Sequence, residues 1–384
     1  MNAAVDTSPR NFKPNFKVNL PTGIVSKLSW WYSGWLRYPV SFIGPSAAGK
    51  TLIGLSFYSS RDGAQAFPSK GLVTQLHSMK RRETEKSILH AAKEEARSKR
   101  IEYLDKMRMP NDKTMRLLFW PSERLLAGDN TSRQFAQLEE ISRRGTIVVV
   151  LNPFSLTDTL AELALLGHIS YLQRQHHFSF RDALLIGART LFSLSEQRVI
   201  DLLAPGGTDH SAKPTSIEEY LNSKVDLGKI TIAWNPQNSG KHVPAFDYLN
   251  CTKAEGATIA EEIIGRLARR HVADQLPEVK LIASWIKKET ARHFLLVFTH
   301  HDIVPEIDGL DAQDLKTSCT DWVRKSELPL PLDRIADVGL LSSKSRYPTL
   351  GSPRARREAD IDEGVANQLA GWLISRVMDR LGRR

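Results

Sequence analysis

Apolar residues along this chain fall into compact runs and into spaced sets. The runs "YPVSFIG" (38–44), "TMRLLFW" (114–120), "GTIVVVLNPF" (145–154), "KITIAWNP" (229–236) and "HFLLVF" (293–298) are rich in β-branched and aromatic residues. Such runs predict buried strands, and "ADVGLLSS" (336–343) is a weaker one. Elsewhere the spacing turns helical. Leu52, Ile53, Leu55 and Phe57 suit a short helix over 51–59, and Leu156, Leu160, Leu163 and Leu166 suit helical structure across 155–203. A helix with a basic end is predicted over 258–271 and another over 130–144. In the last segment Ile361, Val365, Leu369, Trp372, Leu373, Val377, Met378 and Leu381 share one helical face. Residues 80–108 contain no Gly or Pro and are dominated by charge, predicting a long helix with a solvated face. Loops are expected at 204–216 and 347–360 from their Gly, Pro and polar content.

Strands alternating with helices predict an α/β fold, a mainly parallel sheet flanked by helices. The stretch 155–285 is too long for an ordinary crossover and reads as a mostly helical insertion. The expected organisation is a basic, partly flexible N-terminal arm (1–36), a first core part (37–154), the insertion (155–285) and a second core part (286–384).

Composition narrows the class. In 384 residues, 41% hydrophobic and 25% charged content is ordinary for globular proteins. The net charge of +10 favours anionic or phosphate-bearing partners. Two cysteines, Cys251 and Cys319, make no disulfide framework and no zinc spacing, which suits a reducing cytoplasm. The first 20 residues lack a secretory signal's apolar core, and no apolar run has membrane-spanning length. The Trp-rich stretch 28–40 is read as aromatic packing at the start of the sheet, leaving a membrane partner disfavoured. Basic clusters at 80–82, 97–100, 354–357 and 383–384 keep nucleic acid as a second partner class. His176-His177 and His300-His301 lack spaced ligand partners and read as solvent-facing or locally bonded.

The chemistry-bearing stretch is "SFIGPSAAGKTLIG" (41–54). Its Gly44-x-x-x-x-Gly49-Lys50-Thr51 matches the phosphate-binding loop in full, between a predicted strand and a predicted helix. Small residues Ser46, Ala47 and Ala48 let successive backbone amides curl around phosphate oxygens, and the helix opening at Gly49 adds its positive end. Lys50 reaches the β- and γ-phosphates, and the Thr51 hydroxyl ligates Mg²⁺.

The base is suggested by Thr299-His300-His301-Asp302, which closes the "HFLLVF" strand. Here the chain resembles the translation-factor and Ras-like class of P-loop GTPases, which read guanine with Asn/Thr-Lys-x-Asp at that place. The resemblance implies that Asp302 accepts from guanine N1–H and the 2-amino group. It also implies that Thr299 stands for the family variant and that His300 stacks where the family has lysine. Ser342-Ser343-Lys344 precedes the final helix, where the family has Ser-Ala-Lys, so Ser343 and Lys344 join the base contacts. The resemblance covers about 37–154 and 286–384 and implies a Ras-like core binding GTP/GDP, with ATP as the alternative.

The catalytic motifs depart from the family. Its Asp-x-x-Gly is replaced by "LLFWPSERLL", where Glu123 is the candidate metal-shell carboxylate, with Asp158 a further candidate. The strand 145–151 ends in Leu151-Asn152, without a Walker-type acid. Catalytic candidates are therefore Lys50, Thr51 and Glu123. The expected function is a GTP-binding switch or regulatory subunit with slow or partner-dependent hydrolysis, engaging a protein partner through the 80–108 helix or the insertion. Two rivals stand beside it: an active P-loop ATPase, and a catalytically dead pseudo-GTPase scaffold that binds protein or nucleic acid. Divergent stand-alone proteins of this kind also look similar to components of bacterial conflict systems.

Overall fold

The computed structural model describes residues 37–45, 48–50, 53, 107–108, 114–119, 145–204, 214–224, 229–238, 243–251, 254–288 and 294–339, with 364–365, 368–369, 371–373 and 375–376 near the end. Eight strands are described: β1 (Arg37–Ile43), β2 (Met107–Arg108), β3 (Thr114–Phe119), β4 (Thr146–Leu151), β5 (Thr231–Trp234), β6 (Phe246–Leu249), β7 (Phe294–Phe298) and β8 (Ile335–Asp337). The main helices are α1 (Asp158–His176), α2 (Phe180–Phe192), α3 (Glu196–Leu203), α4 (Ile217–Asn222), α5 (Ala254–Lys288) and α6 (Ala312–Lys325). No helix among the described residues is long and apolar enough to cross a membrane.

Six strands form one sheet in the order β2-β3-β1-β4-β7-β8. All pairings are parallel except β2 with β3. The chain runs from β1 to β3 on one side, then crosses back to β4 on the other, so β1 lies where the strand order reverses. The central strands of this α/β sheet, β4 and β7, are buried on both faces, as central parallel strands require. In β4 every residue is buried, and so is every residue of β7. The register pairs Ile147 with Phe294, Val149 with Leu296 and Leu151 with Phe298. These alternate residues enter one hydrophobic core shared with Ala164, Leu165 and Ile169 of α1, Leu184 and Leu191 of α2, and Ile264 and Leu267 of α5. Helices from 158–288 thus close one face of the sheet.

Local chemistry sets the helix ends. Thr157, Ser179, Ser195, Ser216 and Asp311 each accept a backbone N–H in the first turn of α1, α2, α3, α4 and α6. The expected helical region 155–203 is divided into three helices, because His177 (φ 55°) and Ser193 (φ 54°) take left-handed conformations that end α1 and α2. Helix α5 runs past the predicted end at 271 and through Pro277. Proline frees the carbonyl of Ala273, but both residues are exposed, so water can satisfy it.

Three further expectations are corrected. Met107 and Arg108, the end of the predicted 80–108 helix, form an antiparallel edge strand on β3; the rest of that helix and 130–144 lie outside the described residues. The 336–343 strand stops at Asp337, because its last partner is Phe298, where β7 itself ends. Between α4 and α5, β5 pairs with an unpredicted strand, β6, as an antiparallel hairpin. Its outer edge is held by α1. The Gln173 amide donates to Ile230 O at 2.8 Å and accepts from Ile232 N at 2.9 Å, while Ser170 Oγ accepts from Trp234 N at 3.1 Å. Ser170 and Gln173, one helical turn apart, match the two-residue repeat of the strand.

Candidate functional site

Gly44 carries the chain off the end of β1. A Cβ there would lie 2.0 Å from the Val150 carbonyl oxygen, so only glycine lets the loop rest on β4 this closely. The loop then folds on itself. Ala48 N donates to Pro45 O at 3.3 Å, and Ile53 N donates to Gly49 O at 3.0 Å, which opens a helix at Lys50 as the motif requires. The Lys50 ammonium donates to the carbonyls of Gly44 (2.7 Å) and Pro45 (2.6 Å), lying across the loop. Ala48, expected to present its amide to phosphate, here spends it on Pro45. At 3.3 Å that bond is long and weak. Ser46, Ala47 and Thr51 lie outside the described residues.

Gly49 has φ 91°, and a Cβ on it would stand 3.2 Å from the Thr299 methyl. Thr299 is 2% exposed and follows β7 directly. Its Oγ1 lies 2.9 Å from Ala48 O, 3.2 Å from Leu151 O and 2.7 Å from His300 Nδ1. One hydroxyl proton cannot serve three acceptors. The set closes when His300 Nδ1–H donates to Oγ1 and the Thr299 proton goes to the nearer carbonyl, that of Ala48. Residues 251 positions apart are thereby pinned together, the loop after β1 against the loop after β7.

His300 takes a left-handed conformation (φ 66°) and its ring meets Phe154 edge-on at 6.4 Å. Asp302 is half-buried in the following 3-10 turn, His301–Glu306. The turn is laced to the end of β8: Val338 N donates to Phe298 O at 2.8 Å, and His301 N to Val338 O at 3.2 Å. Gly339 meets the Asp302 backbone so closely that a Cβ would lie 2.4 Å from Asp302 N. The stretch that reaches Asp302 is therefore 338–339. Ser343, Lys344 and Glu123 lie outside the described residues.

Where β4 ends, Asn152 is 4% exposed and bonded through both its amide nitrogen and its oxygen. Its amide donates to Leu191 O at 2.7 Å, and its Oδ1 accepts from Phe154 N at 3.0 Å. It ties β4 to the end of α2. Asp158 is exposed in the first turn of α1. Behind this layer Ser155 Oγ lies 2.8 Å from His271 Nε2, with the His271 ring stacked on Phe192 at 4.4 Å. Burial holds His271 down to about 4, outweighing the pull of Asp274, so the ring is neutral at ordinary pH.

A second constellation adjoins Asp302. His301 from the 3-10 turn, Cys319 from α6 and Asp337 from β8 place one nitrogen, one sulfur and one oxygen within 4.8 Å of one another. His301 Nε2 and Asp337 Oδ1 are 3.6 Å apart, beyond hydrogen-bond reach, and both atoms are fully buried without a hydrogen-bond partner among the described residues. Burial holds His301 below the usual imidazole range, against the opposing pull of Asp337 and Asp302. Burial, with Asp337 beside it, pushes the Cys319 thiol far up. The sequence offered no ligand spacing around His301. The available signal was a cysteine in the apolar stripe Leu315–Cys319–Val323, all buried, but only the β7–α6–β8 connection brings it to His301.

No protein-family model matches the chain, and no curated protein sequence matches it.

Proposed function

We propose that this protein is a guanine-nucleotide-binding switch with a Ras-like P-loop core, holding the nucleotide across the carboxyl ends of β1 and β7. The observation that carries this reading is Thr299. Its hydroxyl and methyl fasten Ala48 and Gly49 of the phosphate loop to the segment bearing Asp302. A polyphosphate cradle and a base-reading carboxylate must stand at a fixed separation to discriminate one nucleotide from another, and a shared pin supplies that. The placement agrees with a general property of open α/β sheets, which bind ligands beyond the carboxyl ends of strands where strand order reverses. Here that point is β1, between β3 and β4.

In this reading Lys50 leaves the Gly44 and Pro45 carbonyls in part to meet the β- and γ-phosphates. Thr51 ligates Mg²⁺, and Asp302 accepts from guanine, a donor pair that adenine lacks. Hydrolysis is slow without a partner, because Asn152 stands at the end of β4 as a structural amide where a metal-holding acid would speed the step.

The test is a thermal-shift panel of GTP, GDP and ATP with Mg²⁺. A ligand that binds the native state at 100 times its Kd stabilises by about 2.7 kcal/mol. GTP is expected to raise Tm more than ATP, Asp302→Asn to abolish the preference, and Lys50→Ala to remove both shifts. An ATP shift equal to or larger than that of GTP would overturn the guanine assignment, and no shift with any nucleotide would overturn the binding site.

A further inference from the structure

We propose that His301, Cys319 and Asp337 form a zinc site that clips α6 to the ends of β7 and β8. The three donors come from three different elements, the 3-10 turn, α6 and β8, and they converge within 4.8 Å. Buried polar atoms are nearly always hydrogen-bonded, yet His301 Nε2 and Asp337 Oδ1 are both fully buried and neither has a hydrogen-bond partner among the described residues. Two such atoms facing each other at 3.6 Å, with a sulfur beside them, are what a cation between them would satisfy.

The spacing fits. Tetrahedral Zn²⁺ with ligands at about 2.0–2.3 Å sets its donors about 3.4–3.6 Å apart. The His301–Asp337 pair already has that edge length. From a spread of 4.8 Å, the thiol has to close by at most about 1.2–1.4 Å to complete the set, a small side-chain adjustment. The donor set also selects the ion. A thiolate and an imidazole favour Zn²⁺ over Mg²⁺ or Ca²⁺, which take all-oxygen shells. Three protein donors leave the fourth position to water, which can enter beside the half-buried His301 and Asp337. As the Zn–S bond forms, the Cys319 proton passes to solvent and the ion takes up the thiolate; no oxidation state changes.

His301 immediately precedes Asp302, so the ion would fix the turn that carries it. The site does not depend on nucleotide, and its test uses none. The full-length protein, stripped with a chelator, is titrated with Zn²⁺ against a chromophoric competitor and separately with Co²⁺. One equivalent of Zn²⁺ should bind in the presence of excess Mg²⁺ and raise Tm. Co²⁺ should give a thiolate-to-metal charge-transfer band that survives Cys251→Ser and disappears in Cys319→Ser. His301→Gln and Asp337→Asn, at half-buried positions, should each weaken Zn²⁺ binding by more than the about 10–100-fold that loss of an outer-shell partner costs. If Cys319→Ser fails to fold, those two variants decide by the same titration. The proposal is overturned by the absence of a cobalt–thiolate band in the unaltered protein, by a band that follows Cys251, or by unchanged zinc affinity in both half-buried variants.

Discussion

Replacing Thr299 by valine isolates the pin between the two loops. Valine keeps the branched shape of threonine, so packing against Gly49 is retained and no cavity opens. What disappears is Oγ1, with its contacts at 2.9 Å to Ala48 O and 2.7 Å to His300 Nδ1. At 2% exposure water cannot replace the lost donor. Leaving a buried acceptor unsatisfied costs about 1–3 kcal/mol. The assay is equilibrium urea unfolding followed by Trp fluorescence, comparing midpoints at unchanged slope. Thr299→Ser restores the hydroxyl and loses one buried methyl, worth about 1 kcal/mol. The sharper measurement is a double-mutant cycle with Lys50→Ala. Thr299 and Lys50 hold opposite ends of one loop, so their effects should couple by more than about 0.5 kcal/mol. A Thr299→Val protein within about 0.3 kcal/mol of the parent, additive with Lys50→Ala, would refute the idea that this hydroxyl organises the loop.

Other outcomes follow from the same geometry. His271 has its folded-state pKa depressed to about 4, from an ordinary value of 6.5. Above 6.5 both states are neutral and the residue contributes no pH dependence; below it the unfolded chain takes up a proton that the folded one refuses. Stability should therefore fall as pH drops toward 4, by about 2 kcal/mol between pH 7 and pH 5, and His271→Gln should flatten that slope in Tm-versus-pH scans. A Cβ on Gly167 of α1 would lie 2.2 Å from the Asp308 carbonyl oxygen, so Gly167→Ala should cost about 3 kcal/mol, read by the same urea unfolding. Gly371 is helical with nothing within 4 Å of an added Cβ, so Gly371→Ala should instead stabilise by about 0.5–1 kcal/mol. Equal effects at the two glycines would contradict the packing of α1 against the turn after β7.

Legibility in the sequence followed the physics of each element. β4 and β7 were plain because strands buried on both faces must be continuously apolar, and "TIVVVL" and "FLLVF" have no other stable use. β6 was not, since Phe246–Leu249 is only partly buried and carries Asp247; it is a strand because β5 pairs with it. β2 was hidden at the end of a charged run, where two residues carry no period at all. The helix predicted to end at 271 runs on through Pro277, which its exposed face tolerates. At the site, the glycine turn after β1 and the helix opening at Lys50 were readable, as was the amide Asn152 where an acid could stand. The meeting of that turn with the loop after β7 was not, because Ala48 and Thr299 come together only through the β1-β4-β7 strand order. His301, Cys319 and Asp337 share no spacing rule for the same reason.

The side chains of Ser170 and Gln173 along β5 have a consequence for self-association. A two-stranded ribbon ordinarily exposes two rows of unpaired amides and carbonyls, each a template for a foreign strand. On the β5 side three groups of that row, Ile230 O, Ile232 N and Trp234 N, are already answered by a helix. Strand addition, and the fibrillar growth that can follow from it, is closed off there, and any recruitment of an extended peptide to this ribbon must come along β6.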